Sequence, residues 1–492
     1  MRKEKLKTSI LLILIACTII LTLNVWFGSG FWPHGYDFFV SLSDRAFFSR
    51  ILKKEQPYIS PMESLAKPKK LVVTNGGNRA VYYVSDVSYA PFYEEVKAFF
   101  NEVLSNEDAV LMVTEVDTEE WYDVLRNDEI LDTRSIYAEY NSAFSPALFA
   151  KVTGIADTWL ATKTDSVREF IVAPVGETGE DMLLYVREYT TGRIIKCYIR
   201  YGGKASLYEK IAAMTENTNY SYAFELNLHG GSAGIGDAVE QKVVCSPQLL
   251  ISPDATEGVA ITATNPVDAD MDMEALLSVF QYTARTPNRY VGTDKTVHFV
   301  ENYGSVNIYP DGVVEYYALN EEKGVNLLPA RDGVPSLYDS LNGAVRLAEN
   351  VWRALVPDMP FDALVSGDLL DEGGGSYTFN MDYYHAGTPV ITAVQNAFHP
   401  AMQHAVEMEV KNGRLVRYRH FIRRFESVGE PFENVTMLEA VDGIYMTLPA
   451  SQNTLEIKDL FLGYVEDTTA GAKKPVWCAR IEGQEKLVYY MP

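Results

Sequence analysis

The sequence predicts an α+β protein in which a single N-terminal transmembrane helix precedes a multidomain extracytoplasmic region. Three observations support this prediction. Residues 8–27 form an apolar segment long enough to cross a bilayer. Alternating apolar runs flank Asp-Gly and Asn-Gly dipeptides, an arrangement typical of antiparallel hairpins. Other segments carry apolar residues at helical spacing. We therefore expect antiparallel sheets with packed helices in the exterior region.

The apolar segment runs from Thr8 to Phe27 without a charged side chain. At about 1.5 Å per residue, a helix of this length spans roughly 30 Å, the thickness of the hydrocarbon core. No basic residue lies between this segment and Arg45, whereas four precede it: Arg2, Lys3, Lys5 and Lys7. The positive-inside rule therefore places residues 1–7 in the cytoplasm as a short tail. The bulk of this single-pass cell-membrane protein is then extracytoplasmic.

Two kinds of processing compete with an uncleaved anchor. A cleaved signal peptide has an apolar core of about 7–15 residues and a small-residue cleavage site. This segment is longer and ends in Asn24-Val25-Trp26-Phe27. Residues 14–17 resemble the lipobox of a bacterial lipoprotein, but the residues after Cys17 are apolar and do not form a polar tether. The anchor is preferred, and it predicts contact with the lipid bilayer through residues 8–27.

The predicted membrane helix carries a candidate transmembrane interaction face. Thr18 and Thr22 are four residues apart, a small-xxx-small arrangement that lets a second helix approach closely. Leu11, Leu14 and Val25 share this face. The alternative is that both threonines face lipid and satisfy their hydroxyls on the preceding turn.

Composition narrows the class of protein. The chain has 492 residues and a net charge of −23. Such a polyanion repels nucleic acid, so no nucleic-acid partner is expected. Three cysteines follow the membrane segment: Cys197, Cys245 and Cys478. Their number is odd and their spacing fits no metal site, which predicts buried thiols in strands without a disulfide framework.

Three exterior α+β domains are predicted after a juxtamembrane linker at 28–67, which is aromatic, then basic, and closed by prolines. The predicted boundaries are 68–217 for the N-terminal domain, 218–335 for the middle domain and 336–492 for the C-terminal domain. The exterior region is long enough for two to four domains of ordinary size.

The N-terminal domain is expected to begin with a hairpin that turns at residues 76–77, Gly-Gly. A helix is predicted from Pro91, because apolar residues then recur on one face. A second helix is predicted at Asp117, since Glu120 gives it a capping-box-like start. Strand patterns and a closing helix follow, with strands at 167–173, 181–187 and 193–201 and the helix at 205–215.

The last two domains are predicted to be related units, because each combines a helical stripe with a later hairpin. The middle domain has its stripe at 276–283 and its hairpin turn at 311–312, Asp-Gly. The C-terminal domain has its stripe at 344–355 and its hairpin turn at 412–413, Asn-Gly. Helix followed by sheet, twice over, predicts an internal duplication.

One string matches a catalytic motif. Residues 230–234, with Ser232 at the centre, fit the nucleophile-elbow pattern and follow a predicted strand at 222–228. That chemistry requires a helix after the serine, but no helical stripe follows. A glycine-rich hairpin loop is the preferred interpretation.

The histidines have structural explanations. His399 and His404 are five residues apart, which matches neither the zinc-protease nor the zinc-finger spacing. His420 shares a strand face with Val416 and Tyr418 and is predicted to be a core or edge residue. No pair of carboxylates stands out for glycoside hydrolysis. We therefore predict no catalytic residue, no cofactor, no metal and no enzymatic activity.

Tyrosine is abundant, with 31 residues, and it occurs as adjacent pairs in predicted strands. The pairs are Tyr82-Tyr83, Tyr316-Tyr317 and Tyr383-Tyr384. The preferred interpretation places one ring of each pair in the core and the other on a packed outer face. The alternative is a surface that binds another protein.

Several motifs together resemble the YycH/YycI family of accessory proteins. They are Lys70-Leu71-Val72-Val73, Tyr222-Ala223-Phe224-Glu225-Leu226, Ala263-Thr264-Asn265-Pro266, Ile308 to Tyr316, Gly387-Thr388-Pro389-Val390, Asp459 to Tyr464 and Pro475-Val476-Trp477. The length and the extra N-terminal domain favour a YycH-like member. Insertions at 359–375 and 466–474 depart from the family pattern.

The resemblance implies a non-enzymatic regulator with α+β exterior domains and one membrane helix. Members of the family modulate the WalK/WalR (YycG/YycF) two-component system, which controls cell-wall metabolism in Gram-positive bacteria. The expected partners are a membrane sensor histidine kinase of the WalK/YycG type and a YycI-like accessory protein. Two alternatives stay open: a PepSY-like module that binds or inhibits an exported protease, and an envelope hydrolase acting through Ser232.

Overall fold

In the computed structural model of this protein, the described residues are 60–84, 86, 88–126, 134–214, 218–228, 243–268, 273–282, 288–301, 303–328, 334–370, 374–395, 399–447, 455–484 and 487–490. The predicted cytoplasmic tail, membrane helix and most of the linker lie outside these residues. No helix among the described residues combines the length and the apolar character needed to cross a bilayer.

Eight α-helices lie within the described residues. They are α1 (Pro61–Leu65), α2 (Tyr89–Val103), α3 (Thr118–Leu125), α4 (Pro146–Thr153), α5 (Lys204–Ala212), α6 (Glu274–Val279), α7 (Leu337–Leu355) and α8 (Met437–Thr447).

The first seven strands form an antiparallel sheet, named here the N-terminal sheet. The strands are β1 (Lys70–Asn75), β2 (Asn78–Tyr83), β3 (Val110–Val116), β4 (Arg134–Phe144), β5 (Val167–Pro174), β6 (Asp181–Glu188) and β7 (Ile194–Arg200). Their order is β2-β1-β4-β5-β6-β7-β3. One face packs against apolar residues of α2, α4 and α5, while Trp121 of α3 is buried on the other face.

The remaining strands form one large sheet and two small ones. The strands are β8 (Ser221–Tyr222), β9 (Val243–Cys245), β10 (Leu250–Ile251), β11 (Glu257–Thr264), β12 (Asn288–Val291), β13 (Val297–Glu301), β14 (Gly304–Ile308), β15 (Val313–Ala318), β16 (Val325–Asn326), β17 (Ala363–Ser366), β18 (Ser376–His385), β19 (Thr388–Thr392), β20 (Val406–Lys411), β21 (Arg414–Phe421), β22 (Arg424–Glu433), β23 (Leu455–Glu466), β24 (Ala472–Lys473), β25 (Val476–Ile481) and β26 (Val488–Tyr490).

The large sheet follows the order β12-β13-β14-β15-β21-β20-β18-β19-β23-β25-β26, with β16, β17 and β9 attached to β21, β18 and β23. Its pairs are antiparallel except β19–β23 and β9–β23, which are parallel. The predicted α+β class with antiparallel sheets and packed helices is therefore confirmed. The two predicted hairpins, β14–β15 and β20–β21, lie side by side, because β15 pairs with β21. The domain boundaries and the internal duplication stay predictions.

Local signals in the sequence account for most of the first elements. The hairpin β1–β2 turns at Gly76, whose φ of +55° suits glycine. Helix α2 begins at Tyr89, two residues before the predicted Pro91. Helix α3 has Asp117 as its N-cap, and the Asp117 carboxylate accepts the backbone N–H of Glu120 at 3.0 Å. The predicted strands at 167–173, 181–187 and 193–201 correspond to β5, β6 and β7.

The predicted strand at 222–228 is wrong, because β8 ends at Tyr222 and the chain then folds into consecutive turns. The cause is a distant side chain. Arg79 of β2 is buried, and its guanidinium donates to both carboxylate oxygens of Glu225, at 2.6 and 2.8 Å. The oxygen at 2.6 Å, Glu225 Oε2, also accepts the Tyr222 backbone N–H, and the guanidinium lies over the Tyr222 ring. This clamp closes the turn against β2.

The most extensive hydrophobic core cluster extends through both large sheets, from Leu65 to Tyr464. Helix α7 crosses this core with a continuous buried stripe that includes Leu341, Ala348 and Trp352. The three predicted strand cysteines are buried free thiols in β7, β9 and β25. The core therefore joins the N-terminal sheet and the large sheet into one folded body.

Two of the motifs that carry the family resemblance meet at the β14–β15 turn. The Asn265 side chain donates to the carbonyl of Pro310 at 3.0 Å and accepts the backbone N–H of Val267. Gly312 of that turn has a φ of +85°. A Cβ at Gly312 would lie 2.7 Å from Nη1 of Arg423 and closer still to Oδ1 of Asn265. The motifs thus form a tightly packed structural junction.

We predict that Gly312→Ala destabilises the fold more than Gly154→Ala does. Both glycines have a φ of +85°, so both substitutions share the cost of a side chain in the left-handed region, about 1–2 kcal/mol. Gly154 has open space around it, whereas Gly312 is crowded. We expect Gly312→Ala to lose about 1–3 kcal/mol more in the free energy of unfolding, as overpacking does. If a denaturant titration shows the two variants losing equal free energy of unfolding, the tight packing around Gly312 is contradicted.

Candidate functional site

Two sites predicted from sequence lie outside the described residues. One is the transmembrane interaction face, which comprises Leu11, Leu14, Thr18, Thr22 and Val25. The other is the glycine-rich string around Ser232. Both stay predictions.

His399 and His404 do not converge on one site. His399 Nε2 lies 2.8 Å from Oδ2 of Asp311 in the β14–β15 turn, whereas His404 contacts Asp382 on β18. No group of three or more His, Cys, Asp or Glu among the described residues is arranged to hold a metal ion. His399 and His404 make separate polar contacts that fasten the 399–405 segment to the β14–β15 turn and to β18.

His404, Asp382 and Ser366 form a trio that the sequence did not suggest. Their residue types are those of a hydrolytic triad, but the geometry differs. Asp382 Oδ1 and Ser366 Oγ both lie near the same ring nitrogen, His404 Nδ1, at 3.0 and 3.3 Å. A triad needs the serine and the carboxylate on opposite ring nitrogens so that the imidazole can accept the serine proton. This trio therefore lacks the arrangement for nucleophilic catalysis.

His420 is fully buried in β21, as predicted for a core histidine. Nε2 lies 2.8 Å from the hydroxyl of Tyr383, which donates onward to the carbonyl of Phe421. Nδ1 lies 2.7 Å from the hydroxyl of Tyr418. These partners suit a neutral ring that donates from Nε2 and accepts at Nδ1. Burial lowers the pKa of His420 to about 3, so the imidazole is neutral at physiological pH.

The buried cysteines are poor nucleophiles. Burial raises the pKa of Cys197 to about 12, of Cys245 to about 11 and of Cys478 to about 12. Because the thiolate is the reactive form, all three remain protonated thiols near neutral pH. They act as small apolar residues within their strands.

The tyrosine pairs separate into a buried and a more exposed member. Tyr316 is buried and stacks on Phe280 at 5.2 Å, while its neighbour Tyr317 is 50% exposed. Tyr82 and Tyr83 divide in the same way, at 4% and 39% exposure. Core packing therefore explains one member of each of these pairs, as predicted.

Four exposed side chains lie on strands β12–β15 or just beyond their ends, and this group is named here the tyrosine face. Its members are Tyr290, Tyr303, Tyr317 and Leu319, with exposures of 53%, 47%, 50% and 59%. The Leu319 backbone N–H donates to the carbonyl of Tyr303 at 2.8 Å, so these two residues lie side by side at one end of the β14–β15 pair. Exposed tyrosines offer large contact area at a low cost in side-chain entropy. This group is the candidate interaction surface.

A polar row crosses the sheet on the face that carries Tyr290 and Tyr317. Tyr290 stacks on His298 at 5.4 Å, and His298 Nδ1 lies 2.9 Å from Oδ1 of Asn307. Asn307 donates to Glu315, whose other carboxylate oxygen lies 3.9 Å from Nε of Arg419. The row runs across β12, β13, β14, β15 and β21 in register. A rigid surface of this kind loses little conformational freedom when it binds a partner.

The sequence marks Tyr317, through its pair with Tyr316, but it does not mark Tyr290 or Tyr303. Tyr290 belongs to a four-residue strand whose residues are all exposed, so no apolar alternation marks it. Tyr303 lies in a turn directly before β14. The strand order, which no local pattern contains, places these residues in the β12–β15 part of one sheet.

Comparison with family models and with curated proteins gives no match. Among solved structures, the fold is similar to the crystal structure of YycH from Bacillus subtilis, with a TM-score of 0.52 and 10% sequence identity. The similarity covers 88% of this chain and 97% of that one. The crystal structure of an uncharacterized protein from Eubacterium rectale matches with a TM-score of 0.34 and 13% identity, and the match covers 51% of this chain and 88% of that one. This TM-score is too low to inform the fold.

The chain thus has the architecture of YycH, an α+β fold with large antiparallel sheets. The resemblance to the YycH/YycI family is thereby confirmed at the level of the fold.

We predict that His420 destabilises the protein as the pH falls. An unfolded histidine titrates near pH 6.5, whereas folded His420 resists protonation until about pH 3. Acidification from pH 7 to pH 5 therefore favours the unfolded chain by about 2 kcal/mol through this residue. The stability gap between the wild type and His420→Gln should narrow by that amount over the same range in denaturant titrations.

His404→Gln provides a control of opposite sign. Burial opposes protonation of His404, but the hydrogen bond to Asp382 and the negative charges of Asp382 and Glu407 together outweigh burial and raise the pKa of His404. A raised pKa adds stability at low pH that is lost as the pH rises. The difference in free energy of unfolding between the wild type and His404→Gln should therefore widen from pH 7 to pH 5. A constant gap for His420→Gln would contradict a neutral buried imidazole.

Proposed function

We propose that the protein is a membrane-anchored extracytoplasmic regulator of two-component signalling in cell-wall homeostasis. It binds a sensor histidine kinase of the WalK/YycG type and a YycI-like accessory protein, and it catalyses no reaction. The observation that carries this proposal is the fold shared with YycH over 88% of the chain. The motifs that resemble the family support it, since those at Tyr222–Leu226 and Ile308–Tyr316 lie in structural junctions.

An anchor at residues 8–27 supplies the physical basis for regulation. A protein held in the same bilayer as its target has a high effective concentration, so weak contacts suffice. A kinase with two conformations is then biased towards the one that the complex binds more tightly. The face formed by Thr18 and Thr22 is the proposed contact within the membrane.

The tyrosine face is the proposed contact outside the membrane. Binding energy at protein interfaces is concentrated in a few residues, among which tyrosine is enriched. Tyr303 and Tyr317 are both about half exposed on a sheet fixed by the polar row. A partner that covers them would desolvate two rings without rearranging the scaffold.

Co-purification of the full-length chain from native membranes tests this proposal. We expect a sensor histidine kinase and a YycI-like protein to co-purify with it. Truncating both tyrosines, Tyr303→Ala with Tyr317→Ala, should weaken binding of the kinase by about 2 kcal/mol. This corresponds to an affinity lower by on the order of thirtyfold, so less kinase should be recovered. Tyr445→Ala is the matched control, because Tyr445 is an exposed tyrosine on helix α8. The same measurement on Thr18→Leu with Thr22→Leu tests the membrane face.

Recovery of an exported protease without any kinase would overturn the regulator and favour the PepSY-like alternative. Kinase recovery that is equal for the wild type and the double tyrosine variant would keep the regulator but remove the tyrosine face from its contact. Hydrolysis of wall polymer by the wild type that Ser232→Ala abolishes would favour the envelope hydrolase.

A further inference from the structure

Strand β3 exposes three consecutive apolar side chains at an edge of the N-terminal sheet. It pairs with β7 on one side, and no strand of the described residues pairs with its other side. Leu111, Met112 and Val113 are 47%, 53% and 38% exposed. Successive side chains of a strand point to opposite faces, so apolar surface is open on both faces of this edge.

Such an edge is unusual for a protein that stays alone. Unpaired strand edges are ordinarily protected by lysine, proline or inward-pointing charge, because a free edge recruits other strands. The central residues of β3 carry none of these devices, although the register with β7 shifts between Val110 and Met112. The opposite edge of the same sheet is different, since four of the six residues of β2 are buried.

Carboxylates lie at both ends of the exposed apolar stretch. Glu107 and Asp108 precede β3, and Asp117 and Glu119 follow it. All four are exposed. Within the strand, Glu115 has an exposed side chain and meets Arg193 only at 4.0 Å. The edge is therefore an apolar strip between two negatively charged ends.

This charge pattern selects the occupant. A second copy of the chain, paired antiparallel through its own β3, would bring Glu107 and Asp108 of one copy beside Asp117 and Glu119 of the other. Like charges placed opposite each other destabilise strand pairing. An extended segment with an apolar centre and basic ends instead matches both the strip and its flanks.

We propose that the free edge of β3 is a docking site for an extended segment of another protein, in which lysine or arginine flanks an apolar centre. The segment adds an eighth strand to the N-terminal sheet. Its backbone forms hydrogen bonds with the backbone of β3. Its apolar side chains cover Leu111, Met112 and Val113, and its lysine or arginine side chains contact the carboxylates at the two ends of the strip. The site depends on β3 alone, not on the regulatory function proposed above.

The test uses the purified full-length chain and a designed peptide, Lys-Arg-Val-Thr-Val-Thr-Val-Arg-Lys, with both ends blocked. We expect saturable binding by fluorescence anisotropy, with slower amide exchange in β3. Val113→Lys should weaken binding of the peptide by at least about tenfold, since it places a positive charge, the same sign as the ends of the peptide, in the apolar strip. Val291→Lys is the matched control, because Val291 is an exposed valine on the edge strand β12. It should leave binding unchanged.

A peptide with glutamate at the four basic positions should bind at least about tenfold more weakly. Added salt should weaken the binding of the basic peptide. Three outcomes would overturn the docking site: no binding of the basic peptide, equal weakening by both valine variants, or a dimer of the chain that Val113→Lys dissociates. The kinase is absent from this experiment, so its result is independent of the proposed regulatory function.

Discussion

The buried carboxylate of Glu139 is the centre of an ion-pair cluster that links the two large sheets beside their shared hydrophobic core. It lies on β4 and is 7% exposed. Lys69 and Lys70 place their ammonium groups 2.6 and 2.7 Å from its oxygens, and Arg168 of β5 lies at 3.4 Å. Lys69 also reaches Asp459 of β23 at 3.5 Å. Burial alone would raise the pKa of Glu139, but the three cations hold it far below its usual range.

This cluster joins three parts of the chain that are distant in sequence. Lys69 and Lys70 are at the start of the folded region, Glu139 belongs to the N-terminal sheet, and Asp459 belongs to the large sheet. Backbone contacts reinforce the junction, since the Leu369 N–H donates to the carbonyl of Ala143 at 2.7 Å. The tyrosine face and the β3 edge are thus carried by a single scaffold. Surfaces fixed on one scaffold lose little conformational freedom when they bind a partner.

The sequence predicted what short-range physics determines. The Asp117 cap, the Gly76 turn and the stripe of α7 depend on residues close in sequence. The strand predicted at 222–228 failed because Arg79, more than a hundred residues away, closes the chain into turns through Glu225. The exposure of β3 and the grouping of the tyrosines depend on strand order, which no local pattern contains. The parallel β19–β23 pair was missed for the same reason.

Amide hydrogen exchange of the full chain carrying Glu139→Gln tests the central claim most directly. Removing one partner of a buried ion pair costs about 3–5 kcal/mol. If the cluster joins the sheets, amides of β1 and of β23 should both exchange faster by at least about a hundredfold. Glu120→Gln, which removes a more exposed pair with Lys196, should leave β23 unchanged. Faster exchange confined to β1 and β4 in Glu139→Gln, with β23 as protected as in the wild type, would contradict the account.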